Sequence, residues 1–248
     1  MPINYNDAAS TYDNTRGAHE ALLEIFDAKM HFSAQTTILD FGCGTGNYLQ
    51  AIQAKYHSKC FGIEPADGMR EKAIQKNQGV ATIKKGNHLD IPFDENSFDL
   101  IYMTDVIHHI PDLSALFATL WKKLRADGMV AIVTESHQQI ETRWYNRYFP
   151  SLATNERQRY PDIEEIEAEA IRQGFVAEGR QIKESEPTAT ISEHFIRMVE
   201  EKNYSMFRLL DHEEYQAGLA RLKQEKGKTL SADNHGETVV WLRKPRYC

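Results

Sequence analysis

Cysteine is scarce in this chain. Cys43, Cys60 and Cys248 are the three cysteines in 248 residues, and their scatter suggests neither a disulfide framework nor a zinc-binding spacing. No apolar run approaches 18 residues, so no membrane-spanning helix and no membrane partner are expected. The opening Met1-Pro2-Ile3-Asn4-Tyr5 lacks the charged start and apolar stretch of a signal peptide, and the cytoplasm is the expected location. Basic charge is in deficit: 29 Lys and Arg against 36 Asp and Glu leave a net charge of −7, which argues against broad nucleic-acid binding. No repeat, low-complexity tract, metal cluster or catalytic-triad pattern stands out, and no metal is expected. What remains, at 41% hydrophobic residues, is the composition of one globular domain.

The coarse pattern is helix, then alternating strands and helices. Residues 6–30 read as one or two amphipathic helices with Leu22, Leu23, Ile25 and Phe26 inward. Strands are expected near 37–41, 59–63, 80–84, 98–103 and 129–134. Leu113, Leu116, Phe117, Leu120, Trp121 and Leu124 form a clean helical stripe, opened by Pro111-Asp112, with Lys122, Lys123 and Arg125 in its last turn and Gly128 after it. Such alternation implies an α/β fold with a parallel sheet and right-handed crossovers. A further helix is expected at 162–173, and the segments 175–183 and 237–242 supply two more strands. Residues 188–230 between them read as a polar helical insertion, a lid or wall over a pocket or else a surface elaboration.

Residues 38–48, Ile-Leu-Asp-Phe-Gly-Cys-Gly-Thr-Gly-Asn-Tyr, carry the functional signal. A short apolar run ends in Asp40, then Gly42, Gly44 and Gly46 alternate before a helical pattern begins. Strand, glycine turn and helix let a ligand press against bare backbone. A dinucleotide site has the spacing G-x-G-x-x-G, whereas the spacing here is G-x-G-x-G. Asp40 would repel a pyrophosphate and suits a ligand carrying an amino group or sulfonium. Glu64, ending the strand-like run Cys60-Phe61-Gly62-Ile63, is placed to accept from both hydroxyls of a ribose.

At these residues the chain resembles the class I S-adenosylmethionine-dependent methyltransferases, in particular the small-molecule type 11 group. The resemblance rests on residues 38–46, on Gly62-Ile63-Glu64-Pro65 and on Gly86-Asn87-His88-Leu89-Asp90-Ile91-Pro92-Phe93. It continues in Ser97-Phe98-Asp99-Leu100-Ile101, in Val106-Ile107-His108-His109-Ile110-Pro111-Asp112 and in Leu124-Arg125-Ala126-Asp127-Gly128-Met129. It implies a doubly wound, Rossmann-like, seven-stranded and mostly parallel sheet with helices on both faces. A single domain over 1–248 is expected: an N-terminal helical flap at 1–34, a core at 35–186, the insertion at 187–232 and a final strand region at 233–248.

The resemblance implies S-adenosylmethionine as cofactor and S-adenosylhomocysteine as product. Gly42, Gly44 and Gly46, with Cys43 between them, would let backbone approach the methionine portion and ribose. Asp40 would face the ammonium side and Glu64, followed by Pro65, the ribose diol. Asn87-His88 stands where the family usually has Asp-Ala, so Asn87 would accept from the adenine amino group through its amide oxygen, with Asp90 in reserve. Thr104 lies at the mouth of the ligand crevice. Tyr12 and Arg16 belong to a block that would fold over the cofactor, Arg16 pairing with the methionine carboxylate; Tyr5 is a weaker member of it.

Methyl transfer from a sulfonium asks mainly for alignment and exclusion of water. His108, His109 and His137 are the candidate bases for an acceptor that starts protonated; for His108-His109, packing or a helix start is the alternative. The aromatic and basic stretch at 143–160 supplies the candidate acceptor site: Trp144, Tyr145, Tyr148, Phe149 and Tyr160, with Arg143 and Arg147 holding an anionic substrate. The same stretch could instead grip nucleic acid or pack a helix. The expected activity is methylation of a small molecule by a monomer or homodimer, with no nucleic acid as partner. A tRNA or protein methyltransferase, a binding protein without turnover and a nucleotide-binding oxidoreductase are the alternatives.

Overall fold

Asp40 lies opposite Gly62 on one side and Tyr102 on the other, because β1 (Thr37–Phe41) pairs in parallel with both β2 (Lys59–Ile63) and β4 (Phe98–Thr104). The computed structural model describes residues 17–184, 186–232 and 236–246. With β3 (Ala81–Lys84), β5 (Leu124–Thr134), β6 (Val176–Lys183) and β9 (Glu237–Arg243), these strands form a seven-stranded sheet in the order β3-β2-β1-β4-β5-β9-β6. The pairs from β3 to β5 are parallel and β9 runs antiparallel to β5. Strand order reverses between β1 and β4, and a sheet of this kind opens its ligand crevice at the carboxyl ends of those strands.

The side-chain period of two sorts each strand onto two faces. Leu39, Phe41, Ile101, Met103, Val130 and Ile132 join one core with Leu116, Phe117 and Leu120 of α4 (Leu113–Lys123) and Ile163 and Ile166 of α7 (Ile163–Arg172). Ile38, Leu100, Tyr102, Ala131 and Trp241 join the other, with Leu22, Leu23 and Phe26 of α1 (Glu20–Met30), Leu49 and Ile52 of α2 (Asn47–Tyr56) and Ala73 of α3 (Asp67–Lys76). Helices thus cover both faces, as the doubly wound reading expects. Over the described part of the segment expected as a flap, one face of α1 is buried: Phe26 packs 5.2 Å from the Tyr102 ring and 5.9 Å from Trp241.

The expected helix at 113–124 forms with the Asp112 side chain accepting from the Ala115 N–H at 2.9 Å. It stops one residue early. Leu124 is already extended and opens β5, while a Cβ on Gly128 would lie 2.9 Å from the Arg125 carbonyl oxygen and 3.0 Å from that of Phe98.

The chain divides into two compact units. One comprises residues 17–134, 163–181 and 238–246 and contains the two sheet cores above. The other comprises Glu135–Asp162 and Ile182–Glu237. The second unit has its own apolar core, built from Phe149, Leu152, Ile191, Ile196, Phe207 and Leu222 among others. It holds α5 (His137–Glu141), α6 (Ser151–Arg159), α8 (Glu193–Glu200) and α9 (His212–Gln224). The insertion is not wholly helical: β7 (Thr188–Thr190) and β8 (Thr229–Ser231) form an antiparallel ribbon. Too short to show a period, these three-residue strands were invisible to pattern reading.

Candidate active site

Three backbone hydrogen bonds shape the turn after β1. Gly42 and Cys43 both donate to the Ile63 carbonyl at 2.9 Å, and Gly46 donates to the Cys43 carbonyl at 2.8 Å. Gly42, Gly44 and Gly46 all have positive φ, at 77°, 55° and 79°, a conformation that glycine adopts without strain. Two of these glycines answer to the protein itself. A Cβ on Gly42 would lie 2.7 Å from Val106 Cγ2, and one on Gly46 would lie 2.3 Å from Asn77 Nδ2. Asn77 is buried after α3 and donates to the carbonyls of Gly46 at 3.1 Å and Ala73 at 3.0 Å, clamping the turn. Val106 and Asn77 were missed by sequence reasoning, which assigned the glycines' lost side chains to ligand space alone.

Glu64 closes the turn from the neighbouring strand. Its Oε2 accepts from the Gly44 N–H at 3.0 Å and its Oε1 from the Ala66 N–H at 2.8 Å. Each carboxylate oxygen keeps a second lone pair, so the carboxylate is held in one orientation with acceptor capacity left for two hydroxyls. Burial raises the Glu64 carboxyl above its usual range, while the Ala66 and Gly44 N–H groups and Arg70 act to lower it.

Asp40 is 2% exposed. Its Oδ1 and the Tyr102 hydroxyl, cross-strand neighbours, are both buried without a hydrogen-bond partner among the described residues. Burial pushes the Asp40 carboxyl up to about 7, and the Glu64 carboxylate adds to the rise. An orphaned, desolvated carboxyl beside an open glycine turn fits a ligand that brings a cation. Cys43 contributes backbone to the turn rather than a reactive sulfur, since burial pushes its thiol well above the ordinary value.

The other predicted positions divide. Pro65 is exposed, His88 half-buried and Thr104 half-buried at the end of β4. His108 and His109 lie on a short 3-10 turn, ring centroids 3.9 Å apart, with His109 exposed. Tyr5, Tyr12 and Arg16 lie outside the described residues.

Several expectations are corrected. The Asn87 oxygen already accepts from the N–H groups of Leu89 at 2.8 Å and Asp90 at 3.1 Å, so its lone pairs serve its own turn and not an adenine amino group. His137 Nε2 lies 2.8 Å from the Tyr160 carbonyl and Nδ1 lies 3.3 Å from Asp162 Oδ2. Both ring nitrogens of His137 thus lie against groups of its own unit, the Tyr160 carbonyl and Asp162.

Arg143, 5% exposed, forms a forked ion pair with Glu135 and reaches Glu156 Oε2 at 3.5 Å, so its guanidinium is committed within the protein. Tyr148 is buried with its hydroxyl donating to Glu225 at 2.7 Å, and Phe149 is fully buried. Trp144 and Tyr145 pack on the same core, their rings 4.7 Å and 6.0 Å from Phe195. Tyr160 too is buried, with Arg143 over its ring at 5.8 Å. Of this stretch only Arg147 is exposed among the residues predicted to touch substrate, and its Nε donates to the Trp144 carbonyl at 3.0 Å. The aromatic, basic pattern builds the second unit's core, a tertiary outcome that its composition shares with a binding surface.

The sheet order, with the glycine turn after β1 and the acid after β2, is that of the Rossmann-like class I methyltransferase fold. Residues 39–132 match the family model described as a methyltransferase domain. The matched segment runs from β1 to β5 and includes the glycine turn and Glu64.

Among curated relatives, an uncharacterized methyltransferase of Bacillus subtilis is 29% identical over 72% of this chain and 89% of its own length. A probable tocopherol O-methyltransferase of rice (Oryza sativa subsp. japonica) is 26% identical over 54% of this chain and 40% of its own. The match spans only about two fifths of the length of the first curated relatives. Among solved structures, a candidate methyltransferase from an antibiotic biosynthesis pathway of Anabaena variabilis superposes with a TM-score of 0.74 at 16% identity, covering 92% of this chain and 98% of its own. Phosphoethanolamine N-methyltransferase 2 of Haemonchus contortus, solved with S-adenosyl-L-methionine, gives a TM-score of 0.62 at 17% identity, covering 97% of this chain and 57% of its own. At such identities the solved structures speak to the fold. Among the described residues no helix is long and apolar enough to cross a membrane, and no cluster of metal-binding side chains occurs.

Proposed function

We propose that this protein transfers a methyl group from S-adenosylmethionine to a small-molecule acceptor, releasing S-adenosylhomocysteine. The observation that carries the reading is the joint arrangement of a buried, unpartnered Asp40 Oδ1 and a Glu64 carboxylate fixed by Gly44 and Ala66, on either side of one glycine turn. Relatives named for tocopherol, demethylmenaquinone and phosphoethanolamine support a small-molecule acceptor.

The bound donor supplies a methyl already activated by its sulfonium. Glu64 accepts from the ribose hydroxyls, and Asp40 faces the ammonium group. The turn at Gly42, Gly44 and Gly46 brings backbone against the ligand. Thr104 and His88 line the rim, and Tyr12 and Arg16 are retained as donor-contacting residues. His108 and His109 take the proton of an acceptor that needs deprotonation. Alignment and water exclusion supply the rest of the rate. We read the protein as a cytoplasmic enzyme, a monomer or homodimer, without nucleic-acid or membrane partners.

Incubation with methyl-labelled donor and a metabolite extract tests this reading. The expected result is one labelled small molecule with a matching yield of S-adenosylhomocysteine. Label confined to tRNA or protein contradicts the acceptor class, and donor binding without any product favours a binding protein.

A further inference from the structure

Tyr102 and Asp40 share a strand register, a face of the sheet and a common deficit. β1 and β4 pair so that the two residues lie directly opposite each other, Tyr102 in the apolar cluster with Ile38, Cys60, Leu100 and Trp241. Asp40 Oδ1 and the Tyr102 hydroxyl are each buried without a hydrogen-bond partner among the described residues. A phenol hydrogen and a carboxylate oxygen on adjacent strands are complementary, and buried polar groups seldom stay unmatched.

The titratable groups around the pair are few. Glu64 follows β2, Cys43 lies in the glycine turn and Cys60 on β2, and all three interact electrostatically with Asp40. Tyr48 of α2 packs its ring 6.2 Å from Tyr102. α1 contributes Phe26 and β9 contributes Trp241, neither of which titrates. Arg70 of α3 donates to the Glu64 carbonyl at 3.1 Å and interacts electrostatically with Glu64 and Cys43.

We propose that Tyr102 is a positioning residue of the donor site, which completes a hydrogen bond to Asp40 as the ligand's ammonium group arrives while the Asp40 carboxyl releases its proton to solvent. The inference rests on the proposed donor site. The balance is simple: one O–H bond of the carboxylic acid breaks, the proton leaves to water, and the carboxylate accepts from Tyr102 and faces the cation. Burial is what keeps the proton on Asp40 beforehand, and a hydrogen bond from Tyr102 favours the carboxylate once it forms.

The test is calorimetric titration of the whole chain with S-adenosylhomocysteine between pH 5.5 and 7.5, in pairs of buffers of different ionisation enthalpy. Affinity is expected to rise about tenfold per pH unit below the midpoint, with close to one proton released per ligand bound. Tyr102→Phe is expected to move the midpoint upward and to weaken binding at neutral pH roughly three- to tenfold. Asp40→Asn should abolish the slope, and 5′-methylthioadenosine, which carries no ammonium group, should bind with no slope. Folding of each variant is checked by circular dichroism at every pH. A slope that survives Asp40→Asn, or a midpoint unmoved by Tyr102→Phe, overturns the inference while leaving the donor site intact. Absence of binding at every pH overturns both.

Discussion

Gly44 donates its backbone N–H to the Glu64 carboxylate at 3.0 Å, and this one bond ties the glycine turn after β1 to the acid that follows β2. The carboxylate is thereby a structural part of the turn and a ligand group at once. Glu64→Gln separates the two acceptor oxygens from each other, because the amide must present its NH2 to the N–H of either Gly44 or Ala66. We expect S-adenosylhomocysteine binding to weaken roughly 10- to 100-fold, about 1.4–2.8 kcal/mol. Asp127→Ala, at an exposed position near the start of β5, should leave binding unchanged. Equal effects in the two variants, read by calorimetry, would remove Glu64 from the site.

Gly46→Ala and Gly79→Ala form a matched pair. Their φ angles are 79° and 77°, but the new Cβ at 46 would meet Asn77 Nδ2 at 2.3 Å whereas nothing lies within 4 Å at 79. Both substitutions incur the left-handed penalty of about 1–2 kcal/mol. Gly46→Ala should add a further ~1–3 kcal/mol for overpacking and should loosen donor binding. Equal losses of stability in urea melts would show that Asn77 does not clamp the turn.

Asp40 gives stability a pH dependence with a definite sign. Its folded-state value, about 7, stands above the ordinary 3.8, so the folded chain holds the proton more tightly than the unfolded chain does. That contribution is full below about pH 4 and is lost as pH rises toward 7. Asp40→Asn removes the dependence, so without ligand the variant should match or trail wild type near pH 4 and gain on it by on the order of 2–4 kcal/mol by pH 7.5. Urea midpoints across that range provide the check; a gap that shrinks as pH rises contradicts the assignment.

Arg143→Met leaves Glu135 and Glu156 facing a buried gap. Removing one partner of a buried ion pair typically costs about 3–5 kcal/mol. Stability of the second unit should fall by that order while donor affinity stays unchanged. If Arg143 instead held an anionic acceptor, stability would be nearly intact and the acceptor's KM would rise.

The parts that were legible in the sequence are those written in local pattern. Strands at 37–41 and 59–63 fall where β1 and β2 are, because apolar runs bounded by turn residues mark buried parallel strands. The glycine spacing and the two acids are likewise contiguous signals, and parallel pairing of neighbouring strands brings them to one rim. Tyr102 was not legible as Asp40's neighbour, since that requires the register between β1 and β4. Nor was Asn77, whose clamp on Gly46 spans 31 residues of sequence. Arg143 was misread because an arginine among aromatics looks the same whether its carboxylate partner is a substrate or Glu135.

Titration of the protein with S-adenosylhomocysteine, in parallel with Gly44→Arg, bears most directly on the site as a whole. The account predicts micromolar binding to the wild-type chain and none to the variant, in which a long side chain fills the turn beside Glu64, with thermal unfolding showing that the variant remains folded. Wild-type protein that gives no heat with this ligand but binds NADH would contradict it.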